Sequence, residues 1–135
     1  IYKSRAADNI TWETIRDILH SSEKHNQELH LTGVLLASKT HFLQVLEGDF
    51  AAVNALYRMI SQDPRHAQLT LISFGEVDKR LFGHWGMKGI GAFDFNTELS
   101  AHLKKKYGEE EGGIFFPEEE WKVLSMIHDI ELMKE

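Results

Sequence analysis

His41-Phe42-Leu43-Gln44-Val45-Leu46-Glu47-Gly48 is an apolar run with a single amide at its middle, and its reading decides the fold. As a strand it puts Phe42, Gln44 and Leu46 on one face and Leu43 and Val45 on the other. Both faces are apolar, so the strand is central and needs cover on both sides. Glu47-Gly48-Asp49 ends it. Lys39-Thr40 forms the turn that leads into it from an earlier apolar strand, Leu29 to Leu36, interrupted only by Thr32-Gly33.

Outward from this pair the pattern alternates. Ile1 to Arg5 reads as the end of a strand with Tyr2 and Ser4 on one face. Thr11 caps a helix through about residue 25, with Trp12, Ile15, Ile18 and Leu19 as its apolar stripe. On the other side Asp49 caps a second helix carrying Val53, Leu56, Tyr57 and Ile60, and Asp63-Pro64 stops it. Leu69 to Val77 is a fourth strand, and a fifth lies around Trp85 to Ala92. Strand, helix, strand, strand, helix, strand is the ferredoxin-like α+β pattern, βαββαβ, whose sheet order 4-1-3-2 places strands one and three side by side. Two helices cover one face only. The second cover is expected from Leu99, Leu103 and Tyr107 after an Asn96 cap, and from a last helix opened by Pro117. Glu118 to Glu120 are expected in that helix's first turn, with Trp121, Val123, Leu124, Ile127 and Ile130 as its apolar face. A Glu- and Gly-rich link, Gly108 to Gly113, joins the two. The division is thus a core, residues 1–91, and a helical segment, residues 92–135.

Bulk properties narrow the function. The chain has 135 residues, 42% of them apolar and 27% charged, as in an ordinary single folded domain. It has no cysteine, which excludes disulfides, thiolate catalysis and Cys-based metal sites. No apolar run reaches the roughly 18 residues of a membrane span and no signal peptide is visible, so a cytoplasmic location is the default. The chain starts inside a strand-like stretch without Met, so residues ahead of Ile1 are expected to be missing. Net charge is −6, and the dense basic run Lys104-Lys105-Lys106 is followed by Glu109 to Glu111, which argues against direct nucleic-acid binding.

Gln44 is the residue with the most chemistry to explain. A carboxamide on the apolar face of a central strand must find partners or cost roughly 1–3 kcal/mol. Tyr2, on the neighbouring strand, offers a hydroxyl. On pairing alone, a buried Gln–Tyr bond that fixes strand register is the favoured reading. Asn26, taken alone, reads as a helix C-terminal cap. Asp63-Pro64-Arg65-His66 reads as a helix stop with a basic end, or as an anion contact. The eight histidines include no HExxH pair and read as surface or hydrogen-bonded side chains. Gly83, Gly86, Gly89 and Gly91 read as marking a bend rather than a phosphate cradle. No hydrolase, Walker or dinucleotide motif occurs.

Together, Tyr2-Lys3-Ser4, His25-Asn26 with Leu31-Thr32-Gly33, Phe42-Leu43-Gln44-Val45-Leu46-Glu47-Gly48, Asp63-Pro64-Arg65-His66 and Trp85-Gly86-Met87 resemble, in order, the BLUF domains, sensors of blue light using FAD. The resemblance implies a non-covalent FAD whose ring lies between the two helices, on the sheet face of Tyr2 and Gln44. It implies Tyr2 as the photochemical electron and proton donor, Gln44 as the bridge from Tyr2 to the ring, and Asn26 on the ring's polar edge. By the same resemblance Ile18 walls the ring pocket, His25 is among the cofactor-binding residues, Arg65 and His66 lie near the cofactor's polar tail, and Trp85 or Met87 relays the signal. Light would leave Gln44 rotated or tautomerised and would alter strand five and the terminal helices. The implied protein is a sensor rather than an enzyme, acting through a partner protein. The alternatives are the input domain of a larger cyclic-nucleotide enzyme and, from another class, a flavin-free interaction module. Apolar sheet edges or terminal helices leave room for a homo-oligomer.

Overall fold

The computed structural model describes residues 1–133; the last two residues of the expected 92–135 segment lie outside the described residues. Its elements are β1 (Tyr2–Ala6), α1 (Trp12–Glu28), β2 (Thr32–Ala37), β3 (His41–Glu47), α2 (Phe50–Ser61), β4 (His66–Leu71) and β5 (Lys88–Gly91). After a 3-10 turn at Ala92–Asp94 come α3 (Thr97–Tyr107), a hairpin of β6 (Glu109–Glu110) and β7 (Gly113–Ile114), and α4 (Glu120–Met133). The sheet runs β4-β1-β3-β2-β5, so the ferredoxin-like order holds with β5 added parallel to β2. β1 and β3 are antiparallel neighbours, with Tyr2 opposite Gln44 and Lys3 opposite Leu43.

The two faces of β3 are covered as its alternation demands. Phe42 packs with Leu35, Ala37, Ile10 and Ile15 beneath α1. Leu43 and Val45 join Val34, Leu36 and Ile90 under Leu99 and Leu103 of α3 and Val123, Met126, Ile127 and Ile130 of α4. At roughly 1.5–3 kcal/mol for each fully buried large aliphatic side chain, this second layer is a substantial part of the stability. Among the described residues no helix is long and apolar enough to cross a membrane, and no group of three or more His, Cys, Asp or Glu could hold a metal ion.

Several boundaries differ from the sequence reading, each for a tertiary reason. α1 continues to Glu28, because Leu29 N–H still bonds His25 O and the chain reverses only at His30, whose φ is 54°. β2 therefore starts at Thr32 rather than Leu29. β4 spans His66–Leu71 instead of 69–77: its ladder with β1 runs to Tyr2↔Leu71, and just beyond it Ile72 N–H and Ser73 N–H both bond to Ile1 O. β5 is only Lys88–Gly91, the length over which it pairs with Val34 to Ala37, so Trp85 and Met87 precede it in a loop. Gly89 marks close packing rather than a bend, since a Cβ there would stand 2.8 Å from Ile15 and 2.9 Å from Leu19 of α1. Asp49 occupies the N-cap of α2 but makes no side-chain cap bond, whereas Thr11 and Asn96 cap α1 and α3 as expected. The Gly108–Gly113 link is a hairpin, turning at Glu111 (φ 52°) and Gly112 (φ 81°), as a two-residue turn between antiparallel strands requires. α4 begins at Glu120, three residues after Pro117, and Lys3 bonds Phe116 O and Glu118 just ahead of it. The helix register set by Val123, Met126, Ile127 and Ile130 turns Trp121 outward, 64% exposed.

Candidate functional site

Tyr2 and Gln44 are cross-strand partners, and both side chains stand on the α1/α2 face. The Tyr2 hydroxyl donates to Gln44 Oε1, with the two residues 2% and 6% exposed. Gln44 Nε2 faces Met87 Sδ at 3.3 Å, a soft and weak acceptor. The amide is thus firmly held at its oxygen and loosely held at its nitrogen.

Asn26 is not a cap. It lies inside α1, 3% exposed, with Nδ2 3.4 Å from Ser22 Oγ, and its Oδ1 is buried with no partner among the described residues. An orphaned acceptor of this kind is costly unless something else donates to it. Asn26 and Gln44 front the same cavity of about 150 Å³. Ile18 walls it on the α1 side and Leu56, Met59 and Ile60 on the α2 side, while Asp63, Arg65 and His66 stand at another side and His25 completes the lining. All the sequence-predicted binding residues, Tyr2, Ile18, His25, Asn26, Gln44, Arg65 and His66, therefore meet in one slot between two helices. Two carboxamides with spare hydrogen-bonding capacity, between apolar walls, suit a flat heteroaromatic group with a donor and acceptors along one edge. That is the chemistry of a flavin's ring edge, and the residues present fit it.

The relay pair is divided. Met87 approaches Gln44, whereas Trp85 stacks on Phe82 (5.4 Å, 15°), carries Lys88 Nζ 4.4 Å over its ring and packs against the α3/α4 core. Ser22 and the α2 wall were not legible as site residues. The i−4 spacing of Ser22 from Asn26 was the only signal, and it acquires meaning only once Asn26 is known to be buried.

Burial pushes the Tyr2 phenol well above its ordinary range, with Tyr57 and Asp63 adding to the effect, so the group is a neutral donor. Tyr57 meets its ring edge-on at 5.8 Å. His66 Nδ1 lies 2.7 Å from Ser4 Oγ, and burial holds its imidazole below the ordinary value. The hydrogen-bonded Arg65 guanidinium, with Nη2 2.6 Å from Oδ2, holds Asp63 below the usual carboxylate range. A histidine depressed on folding binds its proton better in the unfolded chain, so its contribution to stability is whole above about pH 6.5 and is lost as pH falls below that. Asp63 contributes above its ordinary pKa of about 3.9 and loses its contribution only as pH drops through the depressed value. The expected result is a urea midpoint that declines from pH 8 to pH 5.5, less steeply in His66→Asn; identical slopes in the two proteins would remove His66 from this role. His41, also depressed by burial, supplies the decline that remains.

Comparison with known proteins agrees with this geometry. The family model "BLUF: Sensors of blue-light using FAD" matches residues 1–88. The blue light- and temperature-regulated antirepressor BluF of Escherichia coli (strain K12) is 34% identical over 88 residues, 65% of this chain and 22% of that protein. The photoactivated adenylate cyclase subunit alpha of Euglena gracilis is 34% identical over 76 residues, 56% of this chain and 8% of that one. The chain thus spans less than a quarter of the length of these relatives. Among solved structures, the dark state of the BLUF protein BlrB superposes with a TM-score of 0.72 at 26% identity, covering 94% of this chain and 88% of BlrB. A bacterial light-regulated adenylyl cyclase gives 0.71 at 26% identity, covering 97% of this chain and 34% of the cyclase. With its β4-β1-β3-β2-β5 sheet, its paired Tyr2 and Gln44 and this match over residues 1–88, the chain belongs to the BLUF family, the sensors of blue light using FAD.

Proposed function

We propose that this domain senses blue light through a change in the hydrogen bonds of the Gln44 carboxamide, with Tyr2 as electron and proton donor. In this reading the core, residues 1–91, hands the change to the segment 92–135, and that segment hands it to a partner protein or an output domain. The observation that carries the reading is the site's unbalanced hydrogen bonding: among the described residues Asn26 Oδ1 has no donor, and Gln44 Nε2 has only a thioether.

Bound FAD supplies absorption of blue light and an acceptor for an electron. Asn26 and Gln44 would hold the polar edge of its ring, Ile18, His25 and the α2 wall would line the pocket and exclude water, and Arg65 and His66 would lie near its polar tail. The Tyr2 hydroxyl proton leaves along its existing bond toward Gln44 Oε1. When both the electron and the proton have returned to Tyr2, the two ends of the amide can have exchanged places. Met87 then loses its N–H contact. Met87 immediately precedes β5 and has a φ of 153°, a conformation that non-glycine residues adopt only when held. Releasing it biases the start of β5, which is the two-state element this reading needs.

Tyr2→Phe is the direct test. The protein is expected to stay yellow and folded, because the ring contacts of Tyr2 remain, while the light-induced red shift of the flavin absorption disappears. A full red shift in Tyr2→Phe would remove Tyr2 from the donor role. Likeness to light-regulated cyclases favours a second reading of the output, in which the domain is the input of a larger cyclic-nucleotide enzyme. Blue-light-dependent cyclase activity in the full-length gene product separates the two.

A further inference from the structure

The segment between α3 and α4 is tied to the sheet in an uneven way. Lys3 is 6% exposed and points to the α3/α4 side of β1, directly behind Tyr2. Its Nζ donates to Phe116 O at 2.8 Å and to Glu118 at 3.1 Å, and lies 3.9 Å over the Phe115 ring. Two residues along, Arg5 makes a two-pronged pair with Glu111. Opposite Arg5, His41 Nε2 stands 3.5 Å from Glu110. Ile114 and Phe116 alternate with these ties and are buried in the core between sheet and helices. Every side chain that makes these ties from the sheet belongs to β1 or β3, the two strands whose other face carries Tyr2 and Gln44.

The ladder beneath is irregular at the same place. β1 pairs Lys3 with Thr70 and Arg5 with Ala67, so two β4 residues face Ser4 alone. Gln68, one of the two, has a φ of 50°. A bulge of this kind interrupts the ladder and bends the strand locally while the flanking pairs persist.

We propose that residues 108–119 form a strap, docked by Lys3, Arg5 and His41, whose hold is set by the state of the Tyr2–Gln44 pair on the reverse of the same strands. The proposal rests on the photosensory reading above and adds a second route to it, through β1 rather than β5. Displacement of the Tyr2 side chain tilts β1 at Lys3, the adjacent residue. A buried ammonium tolerates little loss of its oxygen partners, so a small shift is enough to favour release. Phe115, Glu110, Glu111 and Glu118 then become available to a partner while α3 and α4 stay packed.

Hydrogen exchange read by mass spectrometry on the FAD-loaded protein, in darkness and under continuous blue light, tests this. Amides of 110–118 are expected to exchange about tenfold faster in the light, a change of about 1.4 kcal/mol in opening, with the inner turns of α3 and α4 unchanged. Glu111→Gln/Glu118→Gln, changed at exposed carboxylates only, should exchange in darkness at the lit rate with its spectral shift intact. Equal strap exchange in darkness and light, alongside a normal red shift, overturns the strap and leaves the photosensory reading standing. A double variant whose dark exchange matches the parent protein also overturns it. Absence of any red shift in the parent protein overturns both.

Discussion

Gly33→Ala is expected to destabilise the domain by about 3–5 kcal/mol and to lower its melting temperature by about 10 °C or more. Gly33 has a φ of 149°, and a Cβ there would stand 1.9 Å from the carbonyl oxygen of Val45 and 2.9 Å from its carbon. The obstacle is backbone of the paired strand, not the tip of a side chain that could rotate. Either β2 and β3 separate, which breaks the register from Thr32↔Glu47 to Ala37↔Phe42, or the substituted alanine keeps a strained backbone at a cost of about 1–3 kcal/mol. Gly33 N–H also bonds Trp85 O at 3.2 Å, so a shift of β2 pulls on the loop that carries Met87. Against a total stability of about 5–15 kcal/mol, the loss is a large share. A melting temperature within about 2 °C of the parent protein, less than about 1 kcal/mol would produce, would mean that β2 and β3 do not approach so closely.

Gln44→Leu is expected to abolish the light response altogether while the fold survives. Leucine fills a similar volume on an apolar face, so packing is largely kept, but the buried Tyr2 hydroxyl loses its acceptor at a cost of about 1–3 kcal/mol. The proton path from Tyr2 ends there, and Met87 has no amide to follow. Flavin absorption should be identical before and after illumination, in a protein whose urea midpoint falls by an amount matching one unsatisfied hydroxyl. FAD binding that weakens while the red shift persists would instead assign Gln44 to affinity. Tyr2→Phe differs from it in a useful way: it removes the donor and leaves the amide, so the pair of variants separates loss of the proton source from loss of the switch.

The sheet and its cover were legible because they depend on short-range periodicity. Phe42, Gln44 and Leu46 against Leu43 and Val45 is a period-two pattern visible within one short run, and it implied both a central strand and a second layer. Thr11 and Asn96 announced their helices by residue type, since a cap bonds only a few residues away. The Tyr2–Gln44 pairing followed from strand order, and the ordered motifs identified the family.

The features that were not legible depend on groups arriving from elsewhere in the chain. Whether Asn26 is a cap or a buried orphan turns on where α1 ends, and that was decided by the reversal at His30. Trp85 and Met87 are two residues apart, yet they part because Phe82 and the α3/α4 core draw one and Gln44 draws the other. Pro117 and Glu118 carry every mark of a helix start, but the helix begins at Glu120, and Lys3, from β1, bonds Phe116 O and Glu118 ahead of it. Local pattern determined which residues are strand, helix and face, because backbone sterics and burial act over a few residues. Tertiary structure alone decided which polar atoms are left without partners, since a hydrogen bond is satisfied or orphaned only by groups the fold brings to it.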